Sequence, residues 1–216
     1  MQKYSIQWAL EESKKVKGWL HKEEAELLYN LGADIPQDTD IIEIGSAYGK
    51  STIMLASSIK KNKISLLFSI DPHQKPDFEI PKEYDEWAKG TYTDSYVEFT
   101  ENMNRLDLED SIISIKKTSE QAYNDITNNV KSGFLHKNSK IGLLFIDGLH
   151  ARSWVEKDFL MWSPLVVSGG FIVFHDANQS SHDFEEGAAC IAKKYVIDNC
   201  SYVHGFCKSI VYGEKK

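Results

Sequence analysis

Five short and nearly continuous apolar runs constrain the fold of this chain more than any other feature of its sequence. They are residues 41–44, 64–70, 112–115, 141–146 and 170–174. The runs are rich in Ile, Leu, Val and Phe and do not alternate with polar residues, which is typical of parallel strands covered on both faces. The segments between them have helical spacing, as in Val155, Phe159 and Trp162. Strands that alternate with helices predict an α/β fold with a doubly wound sheet.

A helical leader precedes the first predicted strand. The residues that share one face of this helix are Glu24, Leu27, Leu28 and Leu31. Gly32 then fits the C′ position just past a helix end, where glycine is favoured. We expect a helical N-terminal cap over residues 1–37.

The rest of the chain, residues 38–216, is predicted to form one Rossmann-like core. Residues 202–206 and 209–212 resemble two more short strands in a hairpin, which brings the mostly parallel sheet to seven strands. The connection around residues 73–93 is too long for a plain βαβ unit of about 30 residues, and we interpret it as an insertion over the functional edge. We therefore expect a single domain over residues 1–216.

The charge balance of the chain argues against nucleic-acid and membrane partners, and its apolar runs and cysteines indicate its location. The chain has 25 basic and 32 acidic residues, a net charge of −7, and its only arginines are Arg105 and Arg152. A protein that coats nucleic acid or anionic lipid would have a basic excess and many guanidinium groups. No apolar run approaches the roughly 18 residues that cross a bilayer, and the N-terminus lacks the apolar core of a secretion signal. We expect a cytoplasmic protein without nucleic-acid or membrane partners, in which Cys190, Cys200 and Cys207 are reduced.

Acidic side chains recur where the predicted strands end. They are Glu43 in the first strand, Asp71 after the second, Asp147 after the fourth, and Asp176, which follows His175 after the fifth. Ligands of open α/β sheets bind beyond the carboxyl ends of the strands. We expect these carboxylates to converge on one crevice, although each alone is also typical of a turn or a helix cap.

The turn after the first strand, residues 43–52, is glycine-rich, and three cofactor classes compete for it. A phosphate-binding loop needs four residues between its glycines. The terminal Gly-Lys-Ser is present at residues 49–51, but only three residues separate it from Gly45. A dinucleotide fold needs glycine where Glu43 stands, and a carboxylate there would repel a pyrophosphate. The same carboxylate favours a cofactor with an ammonium and a sulfonium group, which indicates S-adenosylmethionine (AdoMet).

These residues resemble the first motif of the class I AdoMet-dependent methyltransferases, an acid followed by x-Gly-x-x-x-Gly, with Glu43, Gly45 and Gly49 at its fixed positions. Two later segments narrow the resemblance. Residues 147–150 read Asp-Gly-Leu-His, and residues 169–176 form a Gly-Gly strand that ends in His-Asp. With them the chain is similar to a family of small-molecule O-methyltransferases that includes metal-dependent macrolide-sugar enzymes.

The resemblance implies a set of cofactor contacts. Asp71 would bind the ribose hydroxyls of AdoMet, since an acceptor-only carboxylate suits a vicinal diol. Ser119, just after the third strand, would contact adenine, although this position is also typical of a helix N-cap. The implied cofactor-binding residues are Glu43, Gly45, Ser46, Gly49, Ser51, Asp71, Ser119 and Asp147.

The resemblance also implies a metal site and a base. By position, Asp147, His175 and Asp176 would bind a divalent ion, Mg²⁺ or Mn²⁺, and His150 would be the general base beside Asp147. His175 departs from the relatives, which have Glu there, and an imidazole also suits Fe²⁺ or Zn²⁺. Asn178 is an alternative ligand by analogy with catechol-type enzymes. A cap of the following helix is the alternative role for His150.

We therefore expect an enzyme that transfers a methyl group from AdoMet to a hydroxyl of a small molecule, such as a sugar or a glycosylated metabolite. Residues 72–93 and 179–186 would build most of the acceptor pocket, with Trp19, Trp87 and Tyr92 as an apolar wall. Two alternatives stay open, a P-loop-like nucleotide hydrolase and a non-catalytic AdoMet-fold binding protein. A homo-oligomer is compatible with these features.

Overall fold

A computed structural model describes residues 1–60, 65–74, 95–128, 140–178 and 187–216. Its strands are β1 Asp40–Ile44, β2 Leu67–Ile70, β3 Ile112–Ile115, β4 Ile141–Ile146, β5 Val166–Phe174, β6 Tyr202–Cys207 and β7 Ile210–Lys215. They form one sheet in the order β3-β2-β1-β4-β5-β7-β6. β1 to β5 are parallel, and β7 runs antiparallel to both β5 and β6. The predicted fold class is confirmed, and the five parallel strands end where the five apolar runs end.

Helices cover both faces of this sheet. Those on one face are α1 Ile6–Ser13, α2 Lys22–Ala33, α3 Lys50–Ile59 and α4 Ser95–Arg105, and those on the other are α5 Ser119–Asn128, α6 Arg152–Trp162 and α7 Gly187–Ala192. In β4, Leu143 and Phe145 pack under the first group, while Leu144 and Ile146 pack under the second. Because both faces are covered, apolar residues occupy successive strand positions.

Short irregular elements complete the architecture. They are the 3₁₀ turns Glu109–Ser111 and Ser163–Leu165 and the π-helical turn Lys193–Ile197. In the part of the chain that the structure describes, we find no helix with the length and apolarity to span a bilayer. The cysteines Cys190, Cys200 and Cys207 are free thiols.

The N-terminal segment is helical as predicted, but α2 extends through Gly32 to Ala33 and has Asp34 as its C-cap. The predicted C′ role of Gly32 is therefore wrong. A Cβ at Gly32 would lie 2.3 Å from the Oγ of Ser58 in α3. Close approach of two helices, rather than chain termination, explains the glycine.

The backbone ladder of the parallel strands continues one residue beyond the sheet. Gly45, Asp147 and His175 each donate a backbone N–H to the carbonyl of the last residue of a neighbouring strand, at 2.9, 2.8 and 3.1 Å. Asp71 does the same at 3.2 Å. The residues that follow β1, β2, β4 and β5 are thereby fixed side by side at one edge.

Candidate active site

A cavity of about 890 Å³ lies at the carboxyl ends of the parallel strands. Its walls come from the connector before α2, the turn before α3, the ends of β2, β4 and β5, and the turn between β6 and β7. The predicted site residues that line it are Gly45, Ser46, Ser51, Asp71, Asp147, His150, His175 and Asp176. The volume is within the range of pockets that enclose a small-molecule ligand.

The turn after β1 depends on two glycines. Gly45 has φ +90°, and a Cβ there would lie 2.2 Å from the carbonyl oxygen of Asp147. Gly49, at φ +91°, is the N-cap of α3, and a Cβ there would lie 2.5 Å from Met103 Cε. Glycine is the residue that tolerates both the left-handed backbone and the close approach. The turn can therefore lie flat against the loop after β4, at the floor of the cavity.

Asp71 joins the turn after β1 to the end of β2. Its Oδ2 accepts the backbone N–H of Ala47 at 2.8 Å, and its Oδ1 accepts the backbone N–H of His73 at 2.6 Å. Asp71 as a whole residue is 8% exposed and lines the cavity. Since a carboxylate oxygen has two lone pairs, each oxygen can still accept a ligand hydroxyl.

Among the described residues, the cavity walls do not include Glu43, and the prediction that its carboxylate faces the crevice needs correction. Glu43 is fully buried beneath the turn, where Ser51 Oγ donates to Oε1 and Thr52 Oγ1 donates to Oε2, both at 2.6 Å. Burial raises the pKa of Glu43 to about 7, although both hydroxyls oppose the shift. Within the described part of the chain, a hydrogen bond from Ser51 links Glu43 to the cavity wall, because the strand position of Glu43 points it towards α3.

Ser119, predicted to contact adenine, is likewise outside the described walls of the cavity. It begins α5, and its Oγ accepts the indole N–H of Trp162 at 2.8 Å. A hydrogen bond from Ser119 also reaches the buried carboxyl of Asp158, whose pKa burial raises to about 6. In this structure Ser119 holds α5 against α6.

Two histidines and two aspartates meet after β4 and β5. His150 Nε2 lies 3.3 Å from Asp147 Oδ1, and His150 Nδ1 lies 3.1 Å from Asp176 Oδ2. His175 Nδ1 lies 3.1 Å from Asp147 Oδ1 and 3.5 Å from Asp176 Oδ2. Asp176 adopts φ +50°, a backbone conformation that is strained for a residue other than glycine. We call these four residues the His/Asp cluster.

Mutual attraction within the His/Asp cluster shifts the pKa of every member. Burial alone would lower the pKa of both imidazoles, but the nearby carboxylates outweigh it and raise the pKa of His150 to about 9 and that of His175 to about 12. Burial would raise the pKa of Asp147, yet the two imidazoles lower it. The two neighbouring imidazoles hold the pKa of Asp176 far below its usual range. Positive charge is thus strongly stabilised between the two carboxylates.

The donor set fits a divalent cation. Ligand atoms from Asp147, His150 and His175 all lie within 4.8 Å of one another, and Asp176 Oδ2 lies 3.5 Å from His175 Nδ1. His175 Nδ1 is buried and has no hydrogen-bond geometry to any residue that the structure describes. An imidazole nitrogen beside carboxylate oxygens is the ligand combination of Zn²⁺, Mn²⁺ and Fe²⁺ sites.

Glu24 of α2 is a member of the site that the sequence did not assign. It is fully buried, and its Oε2 lies 3.3 Å from His175 Nε2. Burial alone would raise the pKa of Glu24, but hydrogen bonds from His175 and Ser209 outweigh it and lower the pKa to about 2. A glutamate on an otherwise apolar helix face was the available signal.

Several other predicted residues have structural partners or lie elsewhere. Lys50 Nζ donates to the Val16 carbonyl at 3.0 Å, so it holds the connector before α2. Asn178 Nδ2 donates to the Lys208 carbonyl at 2.8 Å, which ties it to the β6–β7 turn. Trp19 lines the cavity and is 72% exposed. Trp87, Tyr92 and residues 179–186 lie outside the described residues, as does nearly all of the predicted insertion.

Strand order and site together define a class of protein. A sheet in which β7 runs antiparallel between β5 and β6, a glycine turn after β1 and an acid after β2 are the architecture of class I AdoMet-dependent methyltransferases. Residues 42–177 match the family model described as a methyltransferase domain. This match covers more than half of the chain, which therefore belongs to the methyltransferase domain family. With Lys50 turned to a backbone carbonyl, a P-loop hydrolase is not favoured.

Solved structures of O-methyltransferases share the fold. The O-methyltransferase NovP is similar with a TM-score of 0.67 and 13% identity, over 90% of this chain and 80% of its own. An O-methyltransferase from Bacillus cereus, solved with S-adenosylhomocysteine (SAH), has a TM-score of 0.61 and 15% identity, and the match covers 100% of this chain and 92% of its own. MycE from the mycinamycin biosynthetic pathway, solved with Mg and SAH, has a TM-score of 0.59 and 15% identity, over 99% of this chain and 55% of its own. At these identities the likeness establishes the fold.

Proposed function

We propose that this protein transfers a methyl group from AdoMet to a hydroxyl of a small molecule, a sugar or a glycosylated metabolite, with the help of a divalent metal ion. One observation carries the proposal: Asp71 and the His/Asp cluster line the same cavity. A cofactor site and a site that activates an acceptor would then be within reach of each other. NovP, CalS11 and MycE, which share the fold, are methyltransferases, and one CalS11 structure is named as a TDP-rhamnose 3′-O-methyltransferase.

Asp71 and the turn after β1 would hold the cofactor. Both Asp71 oxygens are already oriented by backbone N–H groups, so they are preorganised to accept the two ribose hydroxyls. Ser46 Oγ is buried, lines the cavity and has no hydrogen-bond partner among the described residues, so it is available to a ligand. Gly45 lets the backbone approach closely. Gly49, Glu43 and Ser119, which lie outside the described walls of the cavity, would support the residues that make these contacts.

Asp147, His175 and Asp176 would hold the metal ion. A bound divalent ion would supply Lewis acidity, which lowers the pKa of a hydroxyl in contact with it. His150 lies between both aspartates, whose charge raises its pKa to about 9. A divalent ion held by those carboxylates would offset their negative charge. The pKa of His150 would then return towards its ordinary value, so that the imidazole could accept a proton near pH 7.

The chain's own residues then account for the proton and the charge. The methyl carbon leaves the sulfonium sulfur, which keeps the bonding electron pair, and bonds to the acceptor oxygen. The hydroxyl proton passes to His150. The acidic surroundings of the cavity suit a cationic methyl donor, and the fixed walls bring donor and acceptor together. The proposed acceptor is a small molecule, and the proposed location is the cytoplasm. We propose no nucleic-acid or membrane partner.

Methyl transfer from labelled AdoMet to a panel of hydroxyl-bearing sugars and glycosides tests this proposal. We expect label in product, loss of transfer on chelation, and at least a tenfold loss in Asp147→Asn and Asp176→Asn. Asp125→Asn, an exposed change on α5, is the matched control and should keep full activity. SAH binding without transfer to any acceptor would support a non-catalytic binding protein instead. Transfer that survives chelation and both substitutions would refute the metal site.

A further inference from the structure

Glu24 is a buried carboxylate that the proposed transfer of the methyl group does not use. Its Oε1 accepts the backbone N–H of Ser209 at 2.8 Å and the Ser209 hydroxyl at 2.7 Å. Its Oε2 accepts the backbone N–H of His21 at 2.8 Å and faces His175 Nε2 at 3.3 Å. Burying a carboxylate is costly unless several donors compensate. Four donors from three separate parts of the chain therefore fix both oxygens of Glu24.

This arrangement decides which nitrogen of His175 carries a proton. An ionised carboxylate only accepts hydrogen bonds, so Nε2 must donate to Glu24. In a neutral imidazole the lone pair is then on Nδ1. Nδ1 is the nitrogen that lies 3.1 Å from Asp147 Oδ1 and 3.5 Å from Asp176 Oδ2. The lone pair is thus available within the His/Asp cluster.

We propose that Glu24 is a positioning residue that holds His175 in the tautomer whose Nδ1 binds a metal ion. The proposal rests on the metal site of the proposed function and adds a residue from the N-terminal cap to it. A carboxylate behind a ligating histidine fixes the ring and makes it a better donor. Because one ligand is then nitrogen, the site should prefer Co²⁺ or Zn²⁺ over Mg²⁺.

Ser209 and His21 extend this link to other elements. Ser209 belongs to the β6–β7 turn, and its carbonyl also accepts the backbone N–H groups of Ala177 and Asn178, at 2.8 and 2.7 Å, just past Asp176. The turn therefore holds Glu24 on one side and the loop after β5 on the other. His21 is the N-cap residue of α2 and lines the cavity. Orientation of His175 is thus tied to the docking of the cap helix.

Glu24→Gln tests the proposal because the side chain keeps its size. The amide can donate to Nε2, which places the proton on Nδ1 and removes the lone pair from the cluster. We expect Co²⁺ affinity, measured by calorimetry and visible absorption on the full chain, to fall about 10- to 100-fold. SAH affinity should stay within about twofold. Glu23→Gln is the matched control on the same helix, since Glu23 is exposed and pairs with Lys208, and it should change neither affinity.

A second background separates positioning from a structural role. In His175→Asp the ligand atom is oxygen, which needs no tautomer, so adding Glu24→Gln should change Co²⁺ affinity by less than about threefold. An equal loss in both backgrounds would overturn the proposal, as would an unchanged Co²⁺ affinity in Glu24→Gln itself.

Nitrogen NMR of the wild-type protein with Zn²⁺ gives an answer even if the Glu24 variant fails to fold. We expect a His175 resonance pair with a protonated Nε2 and a metal-bound Nδ1, and the opposite assignment would overturn the proposal. Wild-type protein that binds SAH but neither Co²⁺ nor Zn²⁺ refutes the role of Glu24 and the metal site together. Protein that fails to bind SAH refutes the proposed function instead.

Discussion

Gly45→Ala should destabilise this protein far more than the same change at Gly169. Both glycines have a left-handed backbone, with φ +90° and φ +75°, so alanine costs about 1–2 kcal/mol at either position. The added Cβ would meet a carbonyl oxygen at 2.2 Å in Gly45, but its nearest neighbour in Gly169 is a Pro36 carbon at 3.7 Å. Overpacking against the backbone adds a further 1–3 kcal/mol. We expect losses of about 3 kcal/mol or more for Gly45→Ala and about 1 kcal/mol for Gly169→Ala.

Thermal and urea unfolding measure this difference. At roughly 2–4 °C per kcal/mol for a domain of this size, the melting temperature should fall by about 6–12 °C in Gly45→Ala and by a third of that in Gly169→Ala. SAH affinity should fall in the first variant, whose turn must move, and stay unchanged in the second. Equal destabilisation in the two variants would refute the claim that the loops after β1 and β4 require close backbone contact.

Three further changes test separate parts of the site. Folded protein holds a proton on Glu43 up to about pH 7, while the unfolded chain releases it near pH 4.5, so wild-type stability falls across that interval. The free energy of unfolding of Glu43→Gln, relative to that of the wild type, should therefore rise by at most about 3 kcal/mol between pH 5 and pH 8 in urea unfolding. A difference between the two proteins that stays constant with pH would contradict the raised pKa. Asp71→Asn should weaken SAH binding at least tenfold by calorimetry, because a charged hydrogen bond to a hydroxyl is lost; an unchanged affinity would remove Asp71 from the cofactor site. His150→Gln should slow methyl transfer about 100-fold or more while Co²⁺ affinity stays within about threefold, and loss of Co²⁺ binding would make His150 a ligand rather than the base.

The fold and the edge that carries the site could be predicted because they depend on local sequence. A strand covered on both faces is apolar at most of its positions, so β1, β2 and β4 end where their apolar runs stop. In a parallel sheet, the residues that follow necessarily meet at one edge. That is why Asp71 and Asp147 line one cavity, as the sequence indicated.

Placement of the remaining site residues depends on tertiary contacts that one sequence does not encode locally. Which side of β1 carries Glu43 depends on the packing of α3, and its carboxylate is turned to Ser51 and Thr52. Glu24 meets a histidine 151 residues away, so its helix face showed only a polar residue among leucines. Gly32 fits a helix end and a helix–helix contact equally well until Ser58 is seen opposite it.

Equilibrium titration of the full chain with SAH tests the central claim most directly, because SAH probes the cofactor site without requiring an acceptor or a metal. The cavity lined by Asp71 and the turn after β1 predicts saturable one-to-one binding, with heat that disappears when excess AdoMet is present. Absence of saturable binding at about 1 mM SAH, a concentration that detects even weak complexes, would contradict the account.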